Sequence, residues 1–233
     1  DFGIRATIVM PADAPQIKVE NTRSYGADVR LYDRYRENRQ SIGEALAAET
    51  GATLVKPYDD PGIIAGQGTV GLEIAEQAAE LGMKPDIVLV CCGGGGLVSG
   101  TALALSEYLP DAEVYSVEPA GFDDTARSLA AGERLENAPG AASICDALLA
   151  STPGELTFAL ISRFLKGGLM VTDAEALHAM AVAFRYLKLV SEPGGAVALA
   201  ALLAGRVEVR GKTVAVVMSG GNVDPARFRE ALA

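Results

Sequence analysis

Apolar residues along this chain fall into runs that favour strands and spacings that favour helices. The unbroken run Ile87, Val88, Leu89, Val90 predicts a strand buried on both faces, and the spacing over residues 97–109 predicts a helix directly after it. Upstream, residues 4–10 read as a strand. Asp13 and Gln16 flank Pro15 in a capping-box pattern, which predicts a helix that reaches Tyr25 and ends at Gly26. A strand at 28–32, a helix at about 38–50 with Ile42, Ala45 and Leu46 on one face, and a short strand at 53–55 follow. Residues 56–68, KPYDDPGIIAGQG, read as a polar hinge and candidate lid leading into a helix over 69–81.

Downstream the pattern predicts a strand at 113–117, a helix from about Asp123, and a helix over 155–166. Next come a helix around His178 with Thr172 and Glu175 as its capping box, a short alanine-rich helix, a strand at 213–218 and a last helix opened by Asp224 and Pro225. Strand and helix alternate, so the expected fold is α/β, with open, mostly parallel sheets, right-handed crossovers and helices on both faces. We expect two domains. Residues 1–56 form the remainder of a small one and residues 57–233 a large one, and the first strand reads as a beginning in mid-fold.

Four glycines, Gly93 to Gly96, separate the buried strand from its helix. Glycine lets the backbone approach a ligand closely, and the unpaired amides of a first helical turn carry the positive end of the helix dipole, so the junction suits a phosphate. A nucleoside-triphosphate loop would need Lys and Ser/Thr where Leu97 and Val98 stand, and the dinucleotide pattern lacks its last glycine. A phosphomonoester fits better; a ligand-free tight turn is the plain alternative. The sequence Ser219, Gly220, Gly221, Asn222 repeats the arrangement at the end of a second buried strand, which suggests one ligand held at two points.

Composition narrows the partners. A formal net charge of -10 argues against nucleic acid and against an anionic membrane surface, and no apolar run approaches a membrane span. Together with the absence of a signal-peptide pattern, this gives a cytoplasmic expectation. Three cysteines, 91, 92 and 145, are too few and wrongly spaced for a zinc site and read as free thiols. The single histidine lies on an ordinary helix face, which removes Ser-His and Cys-His hydrolysis. Glu118, Asp123 and Asp124 crowd together in SVEPAGFDD, where they either bind a divalent cation or cap the next helix.

The ordered motifs CCGGGGL, SVEPAGFDD and SEPGGA...VVMSGGN, with IRATIVMPADAP and GIIAGQGT, resemble the fold-type II pyridoxal-phosphate enzymes, specifically the threonine/serine dehydratase and serine racemase family. The resemblance implies that the amides of Gly93, Gly94, Gly95, Gly96 and Leu97 cradle the cofactor phosphate and that Ser219 meets the pyridine nitrogen. It also places Glu192 of SEPGGA and Ala147 of SICDALL beside the cofactor, Ala147 standing where the family has glycine. Magnesium or manganese is implied at Glu118, Asp124 and the Phe122 carbonyl. The implied activity is a lyase that converts a β-hydroxy amino acid, L-threonine or L-serine, to a 2-oxo acid and ammonia. A serine racemase or hydroxyaspartate dehydratase is the near alternative, and a non-catalytic phosphate-ligand-binding module is the alternative of another class; a nucleotide-dependent oxidoreductase with Glu118 on the ribose is more distant.

The family's Ser-x-Lys lysine and its Ser-Ser-Gly-Asn-His loop have no counterpart in these residues, and none of the six lysines (18, 56, 84, 166, 188, 212) sits in that context. We therefore expect no catalytic residue here: the cofactor-bearing lysine lies upstream of Asp1, on an N-terminal segment of the same enzyme, and the chain alone is catalytically incomplete. A homodimer acting on a small amino acid completes the expectation.

Overall fold

Strand β3 (Ile87–Cys91) is buried at all five positions, with Ile87 to Val90 fully enclosed. In this computed structural model, which describes residues 3–233, β3 lies second from the edge of a four-stranded parallel sheet of order β5-β4-β3-β6. β4 (Glu113–Pro119), β5 (Gly167–Val171) and β6 (Val214–Val216) complete it, with Ile87 opposite Glu113 on one side and Val214 on the other. A strand with partners on both edges and helices on both faces has no polar position to fill, which is why its sequence is continuous rather than alternating.

The sheet belongs to a unit made of Pro57–Gly221 and Phe228–Ala233. Val88 and Val90 pack with Val98, Ala102 and Leu105 of α4 (Gly96–Tyr108), with Val114, and with Ile161 of a later helix. On the sheet also lies α8 (Pro193–Leu203), whose residues 193–201 are all buried; that explains its all-apolar sequence. The remaining helices are α3 (Pro61–Glu80), α5 (Asp124–Ala131), α6 (Glu155–Phe164), α7 (Asp173–Val182) and α9 (Pro225–Leu232). Thr172 and Glu175 form the expected reciprocal cap on α7, and the helix runs on into a π-helical turn, Ala183–Leu187, which the pattern did not reveal.

A second unit comprises Asp1–Lys56 with Asn222–Arg227. It contains parallel β1 (Thr7–Pro11) and β2 (Asp28–Tyr32), α1 (Gln16–Ser24) and α2 (Arg39–Thr50). Asn38 caps α2 through the Ser41 amide, and Gly51 ends it in the left-handed region at φ 71°. The capping box expected at Asp13 does not form. Pro15 stands at the N-cap without a side-chain bond, and Asp13 instead pairs with Arg34 at 2.8 Å. Residues 53–55 form no strand, because no neighbouring strand pairs with them among the described residues.

The residues expected as a hinge loop begin a helix instead. Helix α3 begins at Pro61, not 69, since Asp60 caps the amides of Gly62 (2.8 Å) and Ile63 (3.2 Å) and Pro61 takes the first turn. Two of its glycines, Gly68 and Gly71, are contact surface. A Cβ on Gly100 of α4 would collide with the Ile64 carbonyl and the Gly68 amide, and one on Gly71 would collide with the Thr101 carbonyl. The two helices thus meet backbone to backbone. Strand β5 was also unforeseen, because GGLMV begins with two glycines; Gly168 lies against Ala126 of α5. Helix α6 ends at Phe164 rather than 166. No helix among the described residues is long and apolar enough to cross a membrane.

The two kinds of α3/α4 glycine separate experimentally. Gly100→Val should lower unfolding free energy by roughly 3 kcal/mol or prevent folding, as overpacking against backbone cannot relax. Gly66→Ala, where nothing lies within 4 Å, should stabilise by roughly 0.5–1 kcal/mol through helix propensity. Urea unfolding midpoints of both variants measure this, and equal effects would refute the close packing.

Candidate functional site

The glycine turn after β3 is held from outside by a strap, residues 57–60. The Tyr58 ring covers Gly94, leaving no room for a Cβ there, and its own Cβ approaches Gly96. Asp59, at φ 57°, reaches the amides of Leu156 (2.8 Å) and Thr157 (3.2 Å) at the start of α6. A non-glycine residue in the left-handed region is strained, and here two hydrogen bonds from a helix N-terminus to a carboxylate offset that strain. Thr157 in turn donates through Oγ1 to the Gly94 carbonyl (2.8 Å), while Ser99 Oγ of α4 donates to the Thr157 carbonyl (3.2 Å).

These bonds orient the turn. With the Gly94 carbonyl turned toward α6, the N–H of the same planar trans peptide, that of Gly95, points the other way. Gly95 takes φ 93°, which only glycine adopts readily, and as N-cap it offers α4 no side-chain acceptor. The first amides of α4 are therefore left for a ligand, in the position where a helix dipole favours an anion. This is a cradle that a phosphate fits.

Three further segments converge on the carboxyl ends of β3 and β6. The 3-10 turn Asp146–Leu148 lies against Gly93, with the Ala147 carbonyl 3.3 Å and the Leu148 Cα 3.2 Å from where a Gly93 Cβ would stand. Ala147 Cβ is 3.5 Å from the same position on Gly194, so the turn bridges the glycine loop and the start of α8. Glu192, the N-cap of α8, is buried; its amide donates to the Gly220 carbonyl (2.9 Å) and its carboxylate faces Gly220. Ser219 N–H donates to the Gly195 carbonyl (3.3 Å), and Cys91 Sγ donates to Ser219 Oγ (3.2 Å). Gly93, Gly94, Gly95, Gly96, Leu97, Ala147, Glu192 and Ser219 thus share one end of one sheet. Sequence reasoning had no signal for Tyr58, Asp59 or Thr157, because each acts across a long sequence separation.

The acids of SVEPAGFDD lie at the end of β4. Glu118 is fully buried and caps α5, taking the Thr125 amide on Oε1 (2.9 Å) and the Ala126 amide on Oε2 (2.8 Å). Burial, and then the charge of Asp124, push its pKa up to about 8. Asp124 accepts from Asn137 Nδ2 on Oδ1 (2.5 Å), while its Oδ2 is buried without a partner; burial raises its pKa to about 6. Phe122 turns its amide to the Pro119 carbonyl (3.0 Å). Among the described residues no three His, Cys, Asp or Glu side chains cluster as a metal site. An orphaned buried carboxylate oxygen beside a second buried carboxylate nonetheless suits a hard cation held by two side chains and carbonyl oxygen.

Three lysines of this unit lie elsewhere. Lys84 pairs with Asp111 (2.7 Å), and Lys166 and Lys212 approach Glu113 at 3.3 and 3.7 Å, at the amino ends of the strands and opposite the glycine turns. Lys188 donates to the Arg185 carbonyl (2.7 Å). His178 is exposed and lines a cleft of about 270 Å³ with Glu175 and Leu203, away from these turns. All three cysteines are free and buried.

Residues 1–220 match the model of the family described as pyridoxal-phosphate dependent enzyme. This chain belongs to that family. Serine racemase of Schizosaccharomyces pombe is 37% identical over 227 residues, covering 97% of this chain and 69% of that protein. L-threo-3-hydroxyaspartate ammonia-lyase of Saccharomyces cerevisiae is 41% identical over 228 residues, 97% of this chain and 68% of the relative. The structure of maize serine racemase superposes with a TM-score of 0.87 at 36% identity, over 99% of this chain and 70% of that one. A crystal structure of a threonine deaminase superposes with a TM-score of 0.84 at 39% identity, over 95% of this chain and 70% of that one. The α/β fold with parallel sheets is the one these pyridoxal-phosphate enzymes share.

Glu118 carries a pH signature. Its folded pKa of about 8 lies above the ordinary 4.5, so the stability held by its neutral form is complete below about pH 4.5 and is lost as pH rises through about 8. With chelator present, the melting temperature should fall from pH 5 to pH 8.5 more steeply than in Glu118→Gln. Parallel slopes in thermal denaturation would show that Glu118 is ionised throughout.

Proposed function

We propose that this chain forms the phosphate- and ring-binding part of a pyridoxal-phosphate-dependent ammonia-lyase that converts a β-hydroxy amino acid to a 2-oxo acid and ammonia. The observation that carries the reading is the convergence of the uncapped glycine turn, Ala147, Glu192 and Ser219 at the carboxyl ends of adjacent strands β3 and β6. The relatives' names supply the substrate class: a hydroxyaspartate ammonia-lyase, a threonine deaminase and a serine racemase. L-Threonine and L-serine are the substrates we favour.

In this reading Gly93 to Leu97 take the phosphate through backbone amides, so binding needs no lysine or arginine and suits an acidic chain. Ser219 meets the pyridine nitrogen, and the buried Glu192 closes the wall behind Gly220. When bound, the cofactor supplies a conjugated ring that spreads the electrons left when an α-proton departs. A hydroxyl at the ring nitrogen, in place of a carboxylate, makes that ring a weaker sink, which favours prompt loss of a β-hydroxyl over a long-lived carbanion. The methyl of Ala147 tightens the space beside the ring. Glu118, Asp124 and the Phe122 carbonyl are the donors for magnesium or manganese, which would neutralise the orphaned Asp124 Oδ2 and fix α5.

The proton-transferring lysine belongs, in this reading, to polypeptide outside residues 1–233, an N-terminal segment of the same enzyme, because Lys84, Lys166 and Lys212 are engaged at the opposite end of the sheet. A homodimer in the cytoplasm is part of the same proposal; exposed Tyr186, Leu187, Leu189 and Val190 supply apolar surface for a second copy.

Two measurements test the proposal. Gly93→Asp should weaken pyridoxal-phosphate binding at least about tenfold beyond Gly93→Ala, since both add a Cβ but only one adds a negative charge. Equal losses in a fluorescence titration would mean that no phosphate binds there. Borohydride reduction of the protein with pyridoxal phosphate should leave Lys84, Lys166, Lys188 and Lys212 unmodified; turnover accompanied by a pyridoxyl group on one of them would overturn the assignment of the amine.

A further inference from the structure

Between α5 and α6 the chain makes a loop, residues 137–151, whose ends meet. The Asn137 N–H donates to the Ser151 carbonyl (2.9 Å), and Asn137 Nδ2 donates to the Ala150 carbonyl (2.9 Å). The same side chain is tied twice to α5: Nδ2 also donates to Asp124 Oδ1 (2.5 Å), and Oδ1 accepts from Arg127 Nη2 (2.6 Å). A carboxylate and a carbonyl accept and a guanidinium donates, so the amide has one orientation, and an aspartate in its place would lose both Nδ2 bonds.

The tip of the loop is pinned separately. Asp173, in the first turn of α7, accepts from Ser143 Oγ (2.6 Å) and from the Ile144 amide (3.2 Å), while Ser143 Oγ accepts the Cys145 amide (3.1 Å). The Cys145 carbonyl then takes the Leu148 N–H (2.8 Å), which shapes the turn Asp146–Leu148. Cys145 and Leu148 are buried and keep the loop docked, whereas Ala147 is exposed beside Gly93 and Gly194. Apolar contact is non-directional, so the polar clamps at base and tip decide where Ala147 sits.

We infer that Asn137 and Asp173 are positioning residues that hold this loop so that its Ala147 turn forms the wall for a planar ring, which makes the loop the part of the site that distinguishes a phosphate carrying a ring from phosphate alone. This rests on the reading that the site takes pyridoxal phosphate. The phosphate cradle has its own support, because Thr157 fixes the Gly94 carbonyl and Gly95 sets the entry into α4. Cradle and wall meet at Gly93. A wall freed at either clamp keeps its buried Leu148 contact but has to be ordered when a ring binds, and that ordering is subtracted from the ring's share of the affinity. Inorganic phosphate does not reach the wall and is spared this loss.

The test titrates the full chain calorimetrically with pyridoxal phosphate and, separately, with inorganic phosphate. Asn137→Ala removes the base clamp, and Asn137→Asp keeps its size and the Arg127 bond while turning an oxygen toward Asp124 and the Ala150 carbonyl. Asp173→Ala releases the tip, whereas Asp173→Asn keeps an acceptor for the Ser143 hydroxyl. The first three variants should weaken pyridoxal-phosphate binding about fivefold or more and change inorganic-phosphate binding less than about twofold, with Asp173→Asn close to the parent. Hydrogen–deuterium exchange without ligand should quicken at amides 138–149 in the same three variants, while unchanged β3 amides show that the sheet is intact. Equal loss of both ligands would report general damage and overturn the inference, as would an unmoved pyridoxal-phosphate affinity or loop exchange that does not quicken. A parent that gains nothing from the ring would overturn the site reading instead, a result distinct from a parent that discriminates and variants that discriminate equally well.

Discussion

Everything at the proposed site depends on how the chain leaves β3. A strand with partners on both edges and helices on both faces cannot shift, so the turn that follows it starts from a fixed point. From there Gly95, at φ 93°, sends the backbone directly into α4 without a capping side chain. The uncapped dipole end would be an unfavourable feature in a ligand-free turn, since helix N-termini are ordinarily satisfied by a Ser, Thr, Asp or Asn. Asp60 does this for α3, Asn38 for α2 and Thr172 for α7 in the same chain. Helices α4 and α8, both without a side-chain cap, begin at the sheet end where Ser219 and Ala147 also lie.

Around that junction the structure uses polar interactions for rigidity. Asp59, Thr157 and Ser99 form a relay that fixes the Gly94 carbonyl, and Tyr58 lies over the turn from the same side. A cradle of backbone amides binds by geometry, so a few tenths of an ångström matter more than they would for a flexible lysine. The backbone contact between α3 and α4 serves the same end, anchoring the strap at Asp60 to the helix that carries the amides.

How much of this could be read from the sequence follows from the range of the interactions. The β3 run, the glycine turn and the α7 capping box are local signals, and each stands where local chemistry puts it; the strand expected at 213–218 is shorter, Val214–Val216. The GIIAGQG stretch reads as loop because glycine lowers helix propensity in isolation, whereas here the Asp60 cap starts the helix and Gly68 packs against Gly100 of α4, a neighbour in space that is distant in sequence. The cap expected from Asp13 was lost to Arg34, a partner no local pattern reveals. For SVEPAGFDD, spacing left capping and cation binding open; the structure assigns capping to Glu118 and leaves an oxygen of Asp124 without a partner. The Cys91–Ser219 pair spans 128 positions and has no sequence signature beyond its two residues.

The central claim is that backbone amides of the glycine turn bind phosphate while Ser219 meets the ring. Amide-resolved nuclear magnetic resonance tests it most directly, with inorganic phosphate and pyridoxal phosphate titrated separately. The account predicts that inorganic phosphate shifts the amide signals of Gly93 to Leu97 alone, and that pyridoxal phosphate shifts those and also the signals of Ser219 and Gly220. Perturbations that avoid Gly93 to Leu97 with both ligands would contradict it.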